Sequence, residues 1–476
     1  MKTKISIMLL LPALLFTAGC KNDTDNEGPE PPAASFQLVY STYWGGEPQA
    51  NKGIAIAVDK EGNIYVAGET QSPSFYVQNP VIDGASTTSG FVSKFAPDGQ
   101  SLIFSTVLGA RDGYNWCLDL VADDLGNAIV GGLAGGPTFP LRDPLYPTFS
   151  EPWQCGFLSG IAAEGSNLNF STFILPGRVA ALALDADRNI YLAAWNRTVL
   201  KISADGRRLI YEYKIPGVTG NTLIEDIAVA PGGALIMAGW TSDPAFPSLN
   251  PIAGAKGKRC DAFILKLNPA GSALEFATRL GGAEDDFALG VALGADGTIH
   301  ACGSTASSDF PLTHPAATAY NGYDDAFAAR IDPLNGTLLY STRLGGVGDD
   351  RATGMALNAA GEAYLCGWTA SPDFPVRGPF QIRLGGVKDA FVCKLSAGGD
   401  KIMLSTFFGG VSSFPYGCVP ESEFGADWCN DICLGPEGKI YITGETYAKD
   451  LPLLDPLDDH SICSKAFLAV FREKQP

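Results

Sequence analysis

The chain has 476 residues, 46% of them apolar, and a net charge of −18 from 51 acidic and 33 basic side chains. Such acidity excludes nucleic acid as a partner, because the chain and the phosphates repel one another. It leaves a neutral glycan or a basic protein open.

The first residues read as an export signal. Lys2 and Lys4 precede the apolar run Ile5 to Phe16, and the small residues Ala18 and Gly19 stand before Cys20. The apolar run is too short to span a bilayer. The cysteine behind small residues looks like a bacterial lipobox, with Thr17 where Leu is commoner, so Cys20 is the expected lipidation site and residues 1–19 the signal peptide. Residues 20–35, acidic and proline-rich, read as a disordered tether. The acidic run behind the cysteine resembles the signal that sends lipoproteins of gut-type Bacteroidetes to the cell surface. The expected address is therefore the outer membrane, through lipid alone, on the outer side.

From residue 36 to 476 the chain repeats itself. An element of the form "YST..GG" begins at Tyr40, Phe104, Phe170, Tyr211, Phe276, Tyr340 and Leu404. The intervals are near 64 residues, except that from Phe170 to Tyr211, which is about 41 and matches a bare propeller blade. In step with it runs "IAVDKEGNIYVAG" from Ile56, with partners at Leu120, Leu182, Ile227, Val291, Met355 and Ile432. Apolar alternation broken by a glycine turn marks two antiparallel strands, a and b. A third element, "FVSKFAPDG" from Phe91, returns in every unit and ends as "FLAVF" at Phe467 to Phe471. It is strand c, and the "YST" element is strand d.

Four-stranded units of this kind bury their faces against one another, and radial closure leaves only short edges. The seventh unit ends after strand c. "FQLVYST" at Phe36 to Thr42 supplies the missing strand d, so the expected fold is all-β, a seven-bladed β-propeller of four-stranded antiparallel blades, closed by one N-terminal and three C-terminal strands.

The stretch "DAFAARIDPLNGTLLYSTRLGGVGDDRATGMALNAAGEAYLCGWTASPDFP" resembles the SBBP family, a bacterial β-propeller repeat, and is similar at a distance to NHL-repeat propellers. That resemblance implies the fold and little about activity, because the family is defined by its repeat.

Six b-to-c connections carry an insertion of roughly twenty residues, and unit 7 adds a d-to-a loop from Val411 to Asn430. Both kinds of connection leave one face of the ring, which is the expected working face. The "FP" pairs at Phe139, Phe246, Phe310 and Phe374 read as loop anchors. Asn51, Asn115, Asp286, Asp350 and Asp427, just before strand a, read as caps on the turn's own backbone.

Positions that vary between units point to a ligand. After strand b stand Glu69, Leu133, Trp195, Trp240, Ser304, Trp368 and Glu445. Indole faces stack on sugars or cations, and carboxylates accept from hydroxyls. The candidate ligand-binding residues are therefore Trp195, Trp240, Trp368, Glu69 and Glu445, although tryptophans here can equally fill space between blades. In strand a, Asp119, Asp226 and Asp431 alternate with Ala and Gly. They read either as a polar channel mouth able to hold a hard cation such as calcium or, being spread around the ring, as backbone caps.

Catalytic parts are sparse. Of three histidines, His300 fills a slot held by tyrosine in other units, and His314 and His460 lie in separate insertions. No HExxH, GxSxG, P-loop or paired CxxC occurs. Ten cysteines besides Cys20 suit an oxidising compartment; Cys117 with Cys155, and the group Cys418, Cys429, Cys433 and Cys463, are disulfide candidates, the latter also a poor zinc match. The reading is a monomeric, non-catalytic binding or docking platform with no cofactor, for a glycan or protein partner. The alternative is a polysaccharide lyase or glycoside hydrolase at the central channel, with Glu69 and Glu445 as its acid–base pair.

Overall fold

The computed structural model describes residues 35–81, 88–111, 113–149, 155–175, 177–195, 197–252, 259–318, 322–413, 423–460 and 462–474. Cys20, the expected signal peptide and nearly all of the expected tether lie outside them, as do Cys418 and residues 414–422 of the long d-to-a loop.

The described residues form seven four-stranded antiparallel sheets. Blade 1 is β2 (Asn51–Val58), β3 (Ile64–Thr70), β4 (Ser89–Phe95) and β5 (Leu102–Leu108). Blade 2 runs from β6 (Trp116–Ala122) through β7 (Ala128–Ala134) and β8 (Cys155–Ile161) to β9 (Leu168–Ile174). Blade 3 comprises β10 (Val179–Leu184), β11 (Ile190–Ala194), β12 (Thr198–Ile202) and β13 (Leu209–Lys214). Blades 4, 5 and 6 follow as β14–β17, β18–β21 and β22–β25, spanning residues 222–280, 286–344 and 350–408. Blade 7 is β26 (Asp427–Leu434), β27 (Ile440–Thr446), β28 (Lys465–Lys474) and, as its outer strand, β1 (Ser35–Trp44). Chain closure is as the repeat count requires: Phe36 faces Glu473 and Thr42 faces Leu468 across the β1–β28 pair.

Neighbouring blades pack through apolar faces, as in the cluster of Phe36, Tyr43, Phe408, Phe467 and Phe471 at the closure. The aromatic that opens strand d lies against a glycine of the next blade's c-to-d turn. A Cβ at Gly399, which has φ +69, would sit 2.1 Å from the ring of Tyr340, so both the backbone conformation and the close approach demand glycine there.

The insertions do not simply crown one face, as their lengths suggested. Each turns down the outside of its own blade and bridges strand d: Gln78 to Ser105, Arg142 to Ser171, Leu249 to Ala277, Thr313 to Ser341, Arg377 to Ser405 and Leu454 to Ser41. Each bridge is a reciprocal backbone pair, such as Arg377 N–H to the Ser405 carbonyl at 3.0 Å and Ser405 N–H to the Arg377 carbonyl at 2.8 Å. The next residue precedes a proline and has positive φ in all six: Asn79, Asp143, Asn250, His314, Gly378 and Asp455. A few residues on, an insertion N–H donates to the Thr of the "YST" element, as from Tyr146 to Thr172 Oγ1 at 2.7 Å or Asp458 to Thr42 Oγ1 at 2.8 Å. The insertions thus cover edges that would otherwise present unpaired backbone groups. The loop phenylalanines anchor them: Phe139, Phe246, Phe310 and Phe374 lie 4.5–4.8 Å from Phe157, Phe263, Phe327 and Phe391 of strand c.

Blade 3 is the exception. Its b-to-c connection is the short Trp195 to Arg197, and Glu212 and Tyr213 stand where other blades have Ser or Ala and then Thr. The insertion and the residues that hold it are missing together.

The disulfide expectation meets free thiols at Cys117, Cys302, Cys366, Cys393, Cys429 and Cys433. The Cys117–Cys155 bridge is not made: both residues are buried, and the Cys155 thiol points to the Ile174 carbonyl at 3.5 Å. Burial pushes the Cys117 thiol well up. These cysteines act as small core residues. His300 is likewise framework, buried, with Nδ1 3.3 Å from Tyr340 Oη and its pKa lowered to about 4 by burial and then by Arg330.

Candidate functional site

The innermost strands share an irregularity. Each strand a shifts register by one residue, as between Gly53 and Ala55 or Cys429 and Asp431, and the residues at these bulges line a central cavity of about 370 Å³. Asp119, Asp226 and Asp431 all stand in its wall. Each carboxylate accepts from its own strand and from the next blade. Asp431 takes the N–H of Ile432 and that of Ile56, both at 2.8 Å. Asp226 takes those of Ile227 and Val291, both at 2.7 Å, and Asp119 those of Leu120 and Leu182. Three carboxylates thereby satisfy six of the seven equivalent donors around the channel. The seventh, on Met355, lies beside Gly290, which has no side chain to offer.

The capping reading is thus visible in the bonds, with the addition that each cap reaches across a blade boundary. Burial raises the pKa of Asp226 to about 6 and of Asp431 to about 7, and of Asp119 well above the usual carboxylate range; the carboxylates of Asp431 and Asp226 add to the shift of Asp119. With all six oxygens accepting from backbone, the aspartates have the bonding of structural clasps rather than of an open cation cage.

On the expected working face a chain of side chains crosses blades 4 to 7. Trp240 donates from Nε1 to Glu225 at 2.9 Å and lies edge-on to Phe287 of blade 5. The Arg351 guanidinium lies between Phe287 and Trp368, and Lys388 Nζ sits 4.4 Å from the Trp368 ring centre and 5.9 Å from that of Trp428. Trp240 and Trp368 are half-buried in this ladder. Trp195 differs: it is 45% exposed, with the Arg178 guanidinium over its ring at 4.9 Å. Glu69 and Glu445 come together across the closure around Lys52, whose Nζ is 3.8 Å from Glu445. Burial raises both carboxyls, and Lys52 opposes the shift in each.

A larger groove, about 560 Å³, opens at the seam of blades 7 and 1. Tyr76, 55% exposed, stands over it edge-on to the buried Trp44, and Gln78, Glu47, Asp458 and His460 supply polar groups. Lys465 closes the floor, 3.1 Å from Glu47 and 3.4 Å from Asp458. Sequence reading missed this site because its parts come from both ends of the chain. The signal was the closure itself, which brings residues near 45 beside residues near 460.

Residues 39–76, from the end of strand d through strand b of blade 1, match the SBBP family, described as a beta-propeller repeat. The match covers one repeat. Among solved structures it is similar to the WD40 beta propeller domain of Doa1, at 11% identity and a TM-score of 0.48 over 92% of this chain and 98% of that one. No curated protein matches it. The β-propeller fold supports a binding or scaffold role in general.

Proposed function

We propose that the protein is a lipid-anchored cell-surface propeller, held through Cys20 at the outer membrane, that binds a glycan without catalysis of its own. The observation that carries this reading is the seam groove. An exposed tyrosine ring beside an amide, two carboxylates and an imidazole is the equipment for a sugar: a face to stack on and acceptors for hydroxyls. Trp195 with Arg178 offers a second stacking surface, on blade 3. The lipobox-like N-terminus and acidic tether support the address.

The test is a broad glycan array with the purified chain, each hit followed for product formation. Tyr76→Ala is expected to weaken binding about ten-fold. If Trp195→Ala weakens it instead, the blade 3 surface is the site. No glycan bound sinks the reading. Products would favour a lyase or hydrolase, which rests on the raised carboxyls of Glu69 and Glu445 facing one lysine and which requires Glu69→Gln or Glu445→Gln to abolish turnover.

A further inference from the structure

The outer edge of blade 3 is unlike the other six. There the edge strand carries a segment of this chain, seated by the reciprocal backbone pair and by the threonine hydroxyl. On β13 no described residue pairs with the outward side, and the strand alternates half-buried and exposed: Leu209, Tyr211 and Tyr213 inward, Ile210, Glu212 and Lys214 outward. Glu212 pairs with Leu200 on the inner side, the register at which Ser105 pairs with Ser93 in blade 1. Its N–H and carbonyl therefore face outward, as those of Ser105 do toward Gln78. Of the usual blunting, β13 has a register shift beside Ile210 and the charges of Glu212 and Lys214, but no proline and no covering loop among the described residues, so the outward N–H and carbonyl of Glu212 stay open to a strand whose charge suits the edge.

Charge separates this edge from the rest. Between Arg178 and Lys214 lie seven basic and four acidic residues, in a chain with net charge −18. Arg208 and Lys214 are exposed and form no salt bridge among the described residues. Arg207 is already bonded to Asp143 of the blade 2 insertion, so this edge does attract acidic insertion residues from a neighbour.

We propose that β13 is a docking strand for an extended acidic segment of a partner protein, added as a fifth strand to blade 3. The six covered edges define the fitting pattern: an edge-pairing residue, then Asn, Asp, His or Gly at positive φ, then proline and an apolar residue. Main-chain pairing supplies the affinity, and Arg208 and Lys214 select acidic residues flanking the pattern. The blade 7 insertion, "LPLLDPLDDH" at residues 451–460, is this chain's own acidic example, and "FPSLNPIAGA" at residues 246–255 an uncharged one. The inference does not depend on glycan binding, since groove and edge belong to different blades.

Both peptides serve as probes of the full chain, read by titration and by hydrogen exchange over residues 209–214. Residues 451–460 are expected to bind one per chain, at least ten-fold tighter than residues 246–255 at low salt, and to slow exchange of the strand at least ten-fold. Glu212→Pro, which deletes the outward N–H, is expected to abolish binding while lowering the melting temperature only slightly; should that variant not fold, the exchange readout on the natural chain decides. Arg208→Glu with Lys214→Glu is expected to weaken only the acidic peptide. Unslowed exchange at saturating peptide overturns the proposal, as does equal binding of both peptides. So does an edge already protected in the free protein because two copies pair there.

Discussion

Blades 3 and 6 both place a tryptophan at the end of strand b, yet they meet solvent differently. Blade 6 folds residues 370–388 down its flank, and Arg377 and Gln381 bond to Ser405 and Thr406. Blade 3 ends in Tyr211, Glu212 and Tyr213 with nothing laid over them among the described residues. At the channel the two blades are alike, each with a bulged strand a and a small residue, Ala181 or Gly354, facing inward. Blade-to-blade packing is the common problem and is solved alike everywhere; the outer edge is where this ring is free to differ.

The sharpest way to break that comparison is a proline at the same register in each edge. In Ser405→Pro the N–H donated to Arg377 is lost and the ring pushes against the insertion, an expected cost of about 3 kcal/mol. Glu212→Pro removes an N–H that meets no insertion, and edge strands tolerate that at about 1 kcal/mol. Urea midpoints order the two variants; equal losses would mean that the insertions contribute nothing to the edges they cover.

At the inner ring the expectation is uniformity. Asp431→Ala strands the N–H groups of Ile56 and Ile432 at the closure, and Asp119→Ala those of Leu120 and Leu182 inside the chain. Each should cost about 2 kcal/mol. A much larger effect of Asp431→Ala would show that closure of the ring, rather than the local cap, limits stability. Smaller again is Thr172→Val, which removes the acceptor for Tyr146 N–H and should cost about 1 kcal/mol.

Strand count, blade boundaries and closure were legible because each rests on a pattern repeated seven times, with Phe36 to Thr42 as the one leftover. The fate of the insertions was not read, although its signal stood in the sequence: Ser or Ala followed by Thr occurs in the six units that carry an insertion, and Glu212–Tyr213 in the one that does not. Length alone suggested a crown of loops; the covering role needed the positive-φ residue and proline that turn the segment along strand d. At the site, Glu69 and Glu445 were brought together by counting through the closure. Trp195 could not be told from Trp240 and Trp368 by position, because what separates them is the neighbour, Phe287 or Lys388 against Arg178. The seam groove escaped because Tyr76 stands where other units have the proline of the "FP" pair, and nothing in that column showed that the closure sets it beside Asp458 and His460.

One difference between the halves of the ring gives the smallest effect and a distinctive sign. Before strand a, blades 1 and 2 have Asn51 and Asn115, whereas blades 5, 6 and 7 have Asp286, Asp350 and Asp427. All cap the turn after strand d, Gly-Gly in blades 5 to 7 and 1 and Gly109–Ala110 before Asn115, as Asp350 does by accepting from Gly346 N–H at 2.9 Å and Ser371 Oγ at 2.7 Å. Burial raises Asp286 and Asp350 to about 6, and Asp325, whose shift the Asp350 carboxylate adds to, to about 7. The folded chain therefore holds protons that the unfolded chain, with aspartates near 3.9, has released. The stability these groups contribute is full below about pH 4 and is lost as pH rises through 6 to 7. Melting temperature should accordingly fall between pH 4 and pH 8, with these blade 5 to 7 groups adding to the buried channel aspartates Asp119, Asp226 and Asp431. In Asp350→Asn, the side chain already used by blades 1 and 2, the amide oxygen takes the place of Oδ2 and accepts from Gly346 and Ser371, while the amide nitrogen replaces Oδ1, which has no donor of its own. That variant should match the natural chain at pH 5 and melt higher at pH 8, by an amount that shrinks the slope without abolishing it, because Asp286 and Asp325 continue to titrate. A slope of opposite sign, or one unchanged by Asp350→Asn, would place the proton uptake elsewhere and leave the two halves of the ring electrostatically equivalent.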